Sequence, residues 1–259
     1  MDFKTLEKKI SELVVSCEGR MAIVIETEAG SIGVNQTEIF SSASLIKVPI
    51  LIEGFRQSEK GQLNLYESIK VLETERVEGS GIIQALSADI QLKVIDLLTL
   101  MIIVSDNIAT NMMIELLGMG EINNCMKWLG MEDSELNRKM MDFTALEKGI
   151  DNRTTASDMV ACLKAIDKKN FLSSDNSTEI LRIMQKQQFT NKLAAAFDLE
   201  KVIVANKTGE LPGVEHDCAI IRHKDRTVYV TALIDQLTEP ELGRRTLFKA
   251  GKLIAEFIR

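Results

Sequence analysis

The chain has 259 residues, of which 45% are apolar, and a net charge of −7. That size allows one large domain or two lobes with a real core, and the acidic balance argues against nucleic acid as a partner. With three prolines and no low-complexity tract, long disordered linkers are excluded; no run of about 18 apolar residues is present to span a membrane.

The opening stretch, "MDFKTLEKKISELVVSCEGR", places Phe3, Leu6, Ile10 and Leu13/Val14 on one helical stripe with charges between them. It lacks the basic start and unbroken apolar run of a secretory leader, so it reads as an amphipathic helix, with the cytoplasm as the expected compartment. Two apolar runs, 21–27 and 31–36, are separated by Glu28-Ala29-Gly30 and give a β-hairpin signal. From Ser44 to about Gln188 the spacing becomes helical, over 45–56, 91–104, 107–117, 121–129, 156–166 and 178–187, and it persists near 190. Strand-type runs return at 201–208, 216–223 and 227–235, and an amphipathic helix closes the chain at 239–259. The economical arrangement is an α/β (α+β) fold. Both chain ends, 1–43 and 189–259, build an antiparallel sheet flanked by the N- and C-terminal helices, and 44–188 forms an inserted all-helical lobe. A cleft between lobes is a preferred place for a site.

Cys17, Cys125, Cys162 and Cys218 are far apart and form no CxxC, so reduced thiols are expected. The two histidines, His216 and His223, belong to no HExxH; no metal and no cofactor is expected.

The segment "SSASLIKVPIL" (41–51) sets Lys47 three residues after Ser44. If a helix begins near Ser44, the two side chains share a face and the amine can reach the hydroxyl. A serine hydroxyl needs a base to become a nucleophile, and a lysine becomes a base when burial and nearby cations lower its pKa. Leu45, Ile46, Val48 and Ile50 would supply the burial, and the helix N-terminus a positive end where oxyanion charge develops. Alone the pattern carries little, because serine and lysine are common. Two others accompany it. Ser105-Asp106-Asn107 follows the apolar run "LLTLMIIV" and opens another helix, so a hydroxyl and a carboxamide can face the cleft. Lys207-Thr208-Gly209 ends a strand-type run, where a cation and a hydroxyl suit a substrate carboxylate and glycine admits an extended ligand backbone. A second Ser-Asp-Asn, at 174–176, lies in a polar link before a helix and reads as structural, with Ser177 or Asn176 as the cap.

The ordered triple of Ser44-Leu45-Ile46-Lys47, Ser105-Asp106-Asn107 and Lys207-Thr208-Gly209 resembles the penicillin-recognising serine enzymes, and class A β-lactamases most closely. Asn111, "TTASDM" (154–159) and Gly79-Ser80-Gly81 add to the likeness, which covers nearly the whole chain. The resemblance implies a role for each position. Ser44 is acylated, and Lys47 is its base or proton relay. Ser105 passes a proton to the leaving nitrogen, and Asn107 holds the ligand amide. Lys207 and Thr208 bind the carboxylate, and the N–H groups of Ser44 and Glu210 form the oxyanion hole.

Two positions depart from the family. Aligned without gaps through "LNRKMMDFTALEKGIDNRTTASDM" (136–159), the place of the deacylating glutamate is taken by Met140, and Thr144 stands where a water-holding asparagine is usual. A thioether takes no proton from water. Asp142, Glu147 and Glu135 are candidate substitutes, and a shifted alignment through "SELN" would offer Asp133 while losing the match at Leu136-x-Arg138. The carboxylate pocket has no evident second cation: His216, Arg222 and His223 are expected to be exposed strand residues, and Asp217 structural. Trp128 and the twelve methionines are expected in the core.

These readings give a serine hydrolase acting through an acyl-enzyme on small-molecule β-lactams, related amides or peptide-like substrates, with slow deacylation and neither membrane nor nucleic acid as partner. Two alternatives stay open: a cytosolic D-amino-acid peptidase or esterase on the same scaffold, and a penicillin-binding or sensory module without turnover.

Overall fold

The computed structural model describes residues 1–168 and 171–259. Helix α1 (Phe3–Val15) starts at Asp2, whose carboxylate accepts from Thr5 N at 2.7 Å, and buries Leu6 and Ile10. Strands β1 (Arg20–Thr27) and β2 (Gly30–Val34) form the expected hairpin. Short β3 (Phe40–Ser41) leads into a 3-10 turn at Ala43–Ile46 and then α2 (Lys47–Glu59). A two-stranded ribbon, β4 (Ser68–Lys70) with β5 (Gln91–Lys93), precedes α3 (Val94–Ile103), α4 (Asn107–Leu117) and α5 (Met119–Trp128). After α6 (Phe143–Glu147) and β6 (Arg153–Thr154) come α7 (Ala156–Lys168) and α8 (Ser174–Met184). Strands β7 (Ile203–Leu211), β8 (Val214–His223) and β9 (Arg226–Asp235) and helix α9 (Pro240–Ile258) complete the chain.

The sheet has the order β2-β1-β9-β8-β7 with every neighbouring pair antiparallel, so both chain ends do supply it. It is covered on both faces, and β1 shows how one strand serves two cores. Ala22 and Val24 join the cluster of the middle helices, whereas Met21, Ile23 and Ile25 join the cluster made with α1 and α9. That is the period-two alternation of a strand with two buried faces. Edge strand β7 has only β8 beside it, and its other side meets the helical lobe at the 3-10 turn.

Several expectations need correction. Residues 91–93 are strand, not helix, because the segment pairs with Ser68–Lys70 before α3 begins. The helical spacing near 190 resolves into a 3-10 turn at Leu193–Ala196. Lys207-Thr208-Gly209 lies inside β7, which continues to Leu211 through a tight hairpin with Val214. The second Ser-Asp-Asn opens α8, but Ser173 caps it, accepting from Asn176 N. Trp128 is 54% exposed; at the end of α5 its ring lies under the Arg56 guanidinium, 4.6 Å from the centroid. No helix among the described residues is long and apolar enough to cross a membrane.

Phe40 joins the sheet to the turn that carries Ser44. It is 1% exposed, with Arg20 3.9 Å over its ring and the His216 ring edge-on at 6.1 Å. Phe40→Ala is expected to lower the unfolding free energy by about 3–5 kcal/mol, read as a fall in the urea midpoint at unchanged m-value.

Candidate active site

Four segments meet where β7 faces the helical lobe. The first is the turn at Ala43–Ile46. Ala43 sits at φ 45°, a left-handed conformation that costs a residue with a Cβ, and the strain is held by Ser42 N donating to Asn152 O at 2.8 Å. Ser44 follows, half-buried, with Lys47 starting α2 behind it.

The second is the connection from α3 to α4. Ser105 has φ 55°, and Asp106 caps α4, accepting from Ala109 N at 3.0 Å through Oδ1. Its Oδ2 accepts from the N–H groups of Ile82 and Ile83 at 2.7 and 2.9 Å, which binds the third segment, 79–83, to the second. Gly79 and Gly81, at φ 98° and 122°, are the glycines this requires. A Cβ on Gly79 would fall 2.7 Å from Asn107 Nδ2, and one on Gly81 2.3 Å from the Asp106 carboxyl carbon. The fourth segment is β7 with Lys207, Thr208 and Gly209, all buried or nearly so. Gly209 lets the strand approach the turn: a Cβ there would lie 3.2 Å from Ala43 Cβ and 3.4 Å from Ser44 N.

Lys47 and Lys207 are both fully buried. Lys47 Nζ donates to Ser105 O at 2.7 Å and to Asn107 Oδ1 at 2.9 Å and lies 3.0 Å from Ser105 Oγ, from which a neutral amine would accept. Lys207 Nζ donates to the same Ser105 Oγ at 3.1 Å and to Thr208 O at 2.7 Å. Burial, with the nearby Lys207 charge, holds the Lys47 amine well below its ordinary value, against an opposing pull from Asp106. Burial brings Lys207 down to about 7, with the Lys192 charge acting in the same sense. The direct Lys47–Ser44 hydrogen bond that the spacing allows is not formed; Ser105 and Asn107 occupy the amine instead. The four residues Lys47, Ser105, Asn107 and Lys207 are thus brought together, with Ser44 beside them on the turn.

The loop after Leu136 is closed at its neck. Arg138 pairs with Asp151 (Nη2 to Oδ1, 2.7 Å), and Asn152 Oδ1 accepts from the N–H groups of Asn137 and Arg138. Inside the loop the Asn111 carboxamide clamps the Met140 backbone, accepting from its N–H at 2.7 Å and donating to its carbonyl at 3.0 Å. The Met140 side chain is buried, and the Met141 sulfur lies against Gly79. The nearby acids are engaged or turned outward. Asp142 caps α6 by accepting from Ala145 N, Glu135 pairs with Arg153, and Glu147 and Thr144 are exposed. The Asp133 N–H donates to the Asp158 carboxylate.

The expectation for His216 is overturned. It is fully buried, its Nδ1 accepts from Ile234 N at 3.1 Å, its Nε2 faces Ser41 O at 2.9 Å, and burial lowers its pKa to about 4. A ring clamped between two main-chain groups is a neutral strut rather than a cation. Arg222 pairs with Asp167, and His223 meets Ile258 O. Asp217 is buried and structural, accepting from Leu193 N and Asn206 Nδ2. The cation that sequence reasoning missed is Lys192. It is fully buried and lies against β7 and β8, 3.0 Å from Glu210 and 2.6 Å from Glu215, with Arg244 3.1 Å from the other oxygen of Glu215. The available signal was a lone lysine followed by the apolar run "LAAAF". Among the described residues no group of three or more His, Cys, Asp or Glu is placed to hold a metal ion.

A model of the β-lactamase enzyme family matches residues 5–258. The fold is shared with the crystal structure of a β-lactamase from Sphaerobacter thermophilus, at a TM-score of 0.92 and 26% identity over 99% of this chain and 97% of that one. It is shared with a PBP-A variant in acyl-enzyme complex with penicillin G, at 0.89 and 23% over 98% of this chain and 96% of that one. An ancestral class A β-lactamase aligns at 0.88 and 21% over 97% and 99% of the two chains; these last two likenesses bear on the fold alone. No curated protein matches the sequence.

Asp106 ties two of the four segments together, and Asp106→Ala removes one helix cap and the acceptor of two further N–H groups. A loss of about 3–5 kcal/mol of stability is expected, and Asp106→Asn, which keeps one oxygen, should lose less; thermal unfolding of the two variants gives the comparison.

Proposed function

We propose, on the premise that this chain belongs to the β-lactamase enzyme family, that Ser44 is acylated by β-lactams or related amides and gives up the acyl group slowly. The observation that carries this reading is the convergence of two buried amines, Lys47 and Lys207, on Ser105 Oγ, with Lys47 three residues along from Ser44.

In acylation Ser44 Oγ attacks the carbonyl carbon and its proton passes to neutral Lys47 Nζ. Contacts of this kind commonly tighten only once substrate is bound. The proton continues through Ser105 Oγ to the leaving nitrogen as the C–N bond breaks. The developing oxyanion is met by the N–H groups of Ser44 and Glu210. Asn107 holds the ligand amide, and Lys207 with Thr208 takes its carboxylate. Hydrolysis of the resulting ester needs a base beside a water. Met140 offers none, Asp142 and Glu135 are already engaged, and the acyl-enzyme accumulates.

Intact-mass measurement after incubation with a penicillin tests the assignment. A stable adduct that is lost in Ser44→Ala is expected, and in Met140→Glu its lifetime should shorten by at least about 10-fold, toward the ~10²–10⁴ that a positioned general base contributes. Turnover of a D-peptide ester with no penicillin adduct would instead select the peptidase or esterase reading.

The pH profile follows from the two amines. The neutral fraction of Lys47 rises with pH through its lowered pKa, whereas the charged fraction of Lys207 falls as pH rises through about 7. The second-order acylation rate with a carboxylate-bearing β-lactam is therefore expected to be bell-shaped. With an ester that lacks a carboxylate the falling limb should vanish, leaving a rate that only rises with pH.

A further inference from the structure

We propose that Lys192 is a positioning residue for the oxyanion hole, acting through the Gly209–Glu210 peptide; the proposal rests on the acylation reading above. Lys192 Nζ donates to Gly209 O at 3.0 Å and to His216 O at 3.2 Å. Gly209 and His216 are directly paired across β7 and β8, so the ammonium lies over that ladder and Gly209 O points toward β8. In a trans peptide the carbonyl and the following N–H point in opposite directions. The Glu210 N–H is therefore directed away from β8, to the open side of an edge strand. The turn that carries Ser44 passes close to this stretch of β7, with Ser44 N 3.4 Å from where a Gly209 Cβ would be.

The group that Lys192 holds is thus the other end of the peptide that supplies one N–H of the oxyanion hole in the acylation reading. A charged donor on a carbonyl draws electron density from the amide nitrogen and makes its N–H a stronger donor, a cooperative gain of about 10–30% per bond in condensed-phase estimates. The cation also stops the peptide from rotating, and a preorganised donor needs no rearrangement when oxyanion charge appears. Its own position is fixed by carboxylates on either side, Glu210 at 3.0 Å and Glu215 at 2.6 Å, the latter anchored by Arg244. The ammonium is fully enclosed and gives both of its main-chain hydrogen bonds to the β7–β8 ladder.

Two measurements test this. Lys192→Met alone leaves one oxygen of the buried Glu215 carboxylate without its cation, the other staying with Arg244, so the working variant is Lys192→Met with Glu215→Gln, and Lys192→Arg is the charge-keeping control. In the ligand-free protein the Glu210 amide ¹⁵N resonance should move upfield in the double variant and stay near its wild-type position in Lys192→Arg. In the penicillin adduct the acyl carbonyl stretch should move to higher wavenumber, and the acylation rate constant should fall roughly 3- to 10-fold, less than the ~10²–10³ lost with a whole oxyanion donor. A folded double variant with the Glu210 resonance and the carbonyl stretch both unchanged would overturn the proposal. Absence of any wild-type adduct would sink the acylation reading separately, because the Glu210 resonance is read without substrate.

Discussion

Two lysine amines share one hydroxyl inside this protein, and they cannot both carry a full charge there cheaply. Each buried ammonium loses its hydration, at a cost of several kcal/mol after relaxation, and each raises the cost of the other. Lys47 and Lys207 both reach Ser105 Oγ, and neither is exposed at all. The carboxylate that opposes this at Lys47, Asp106, spends both oxygens on backbone N–H groups. The physical outcome is a weakened hold on the proton at Lys47, the group whose pKa is lowered by burial first and by Lys207 second. A lysine whose pKa is lowered in this way can serve as a base, and the residue three positions before it carries a hydroxyl.

The scaffold around this pair is built to hold unfavourable backbone. Ala43 beside Ser44, Ser105 itself, and Met141 in the loop all have positive φ, and each lies next to a rigid support. Asn152 O secures the first turn through Ser42 N, and Asp106 caps the helix that follows Ser105. Met141 follows the Met140 backbone clamped by Asn111. Such strain survives only where the surroundings over-determine it. The same logic explains how the loop keeps its path with a methionine at position 140: its backbone bonds are made by Asn111 whatever its side chain, and the side chain fills the core.

Much of the architecture was legible because it is periodic. Met21 to Ile25 alternates between two cores, and the helical spacing of 107–117 matches α4 residue for residue. The candidate site was legible because three short patterns named residues that the fold brings together. What escaped was set by tertiary contact. Residues 91–93 took their conformation from pairing with 68–70. Trp128 left the core because two cations, Arg56 and Lys60, cover its ring at the surface. His216 looked like an exposed strand residue, yet both faces of β8 are covered and its ring nitrogens meet Ser41 and Ile234, which lie 175 and 18 residues away. Lys192 could not be linked to Gly209 from spacing, since the ladder that joins them forms only when β8 folds back on β7.

The central claim is the protonation state of one amine, and it can be observed without substrate. Selective labelling of lysine side chains and NMR titration of the Lys47 resonances would report it directly. The account predicts a neutral Lys47 amine at neutral pH, with Lys207 the more protonated of the two. A Lys47 ammonium that persists up to the ordinary lysine value of about 10.4 would contradict it.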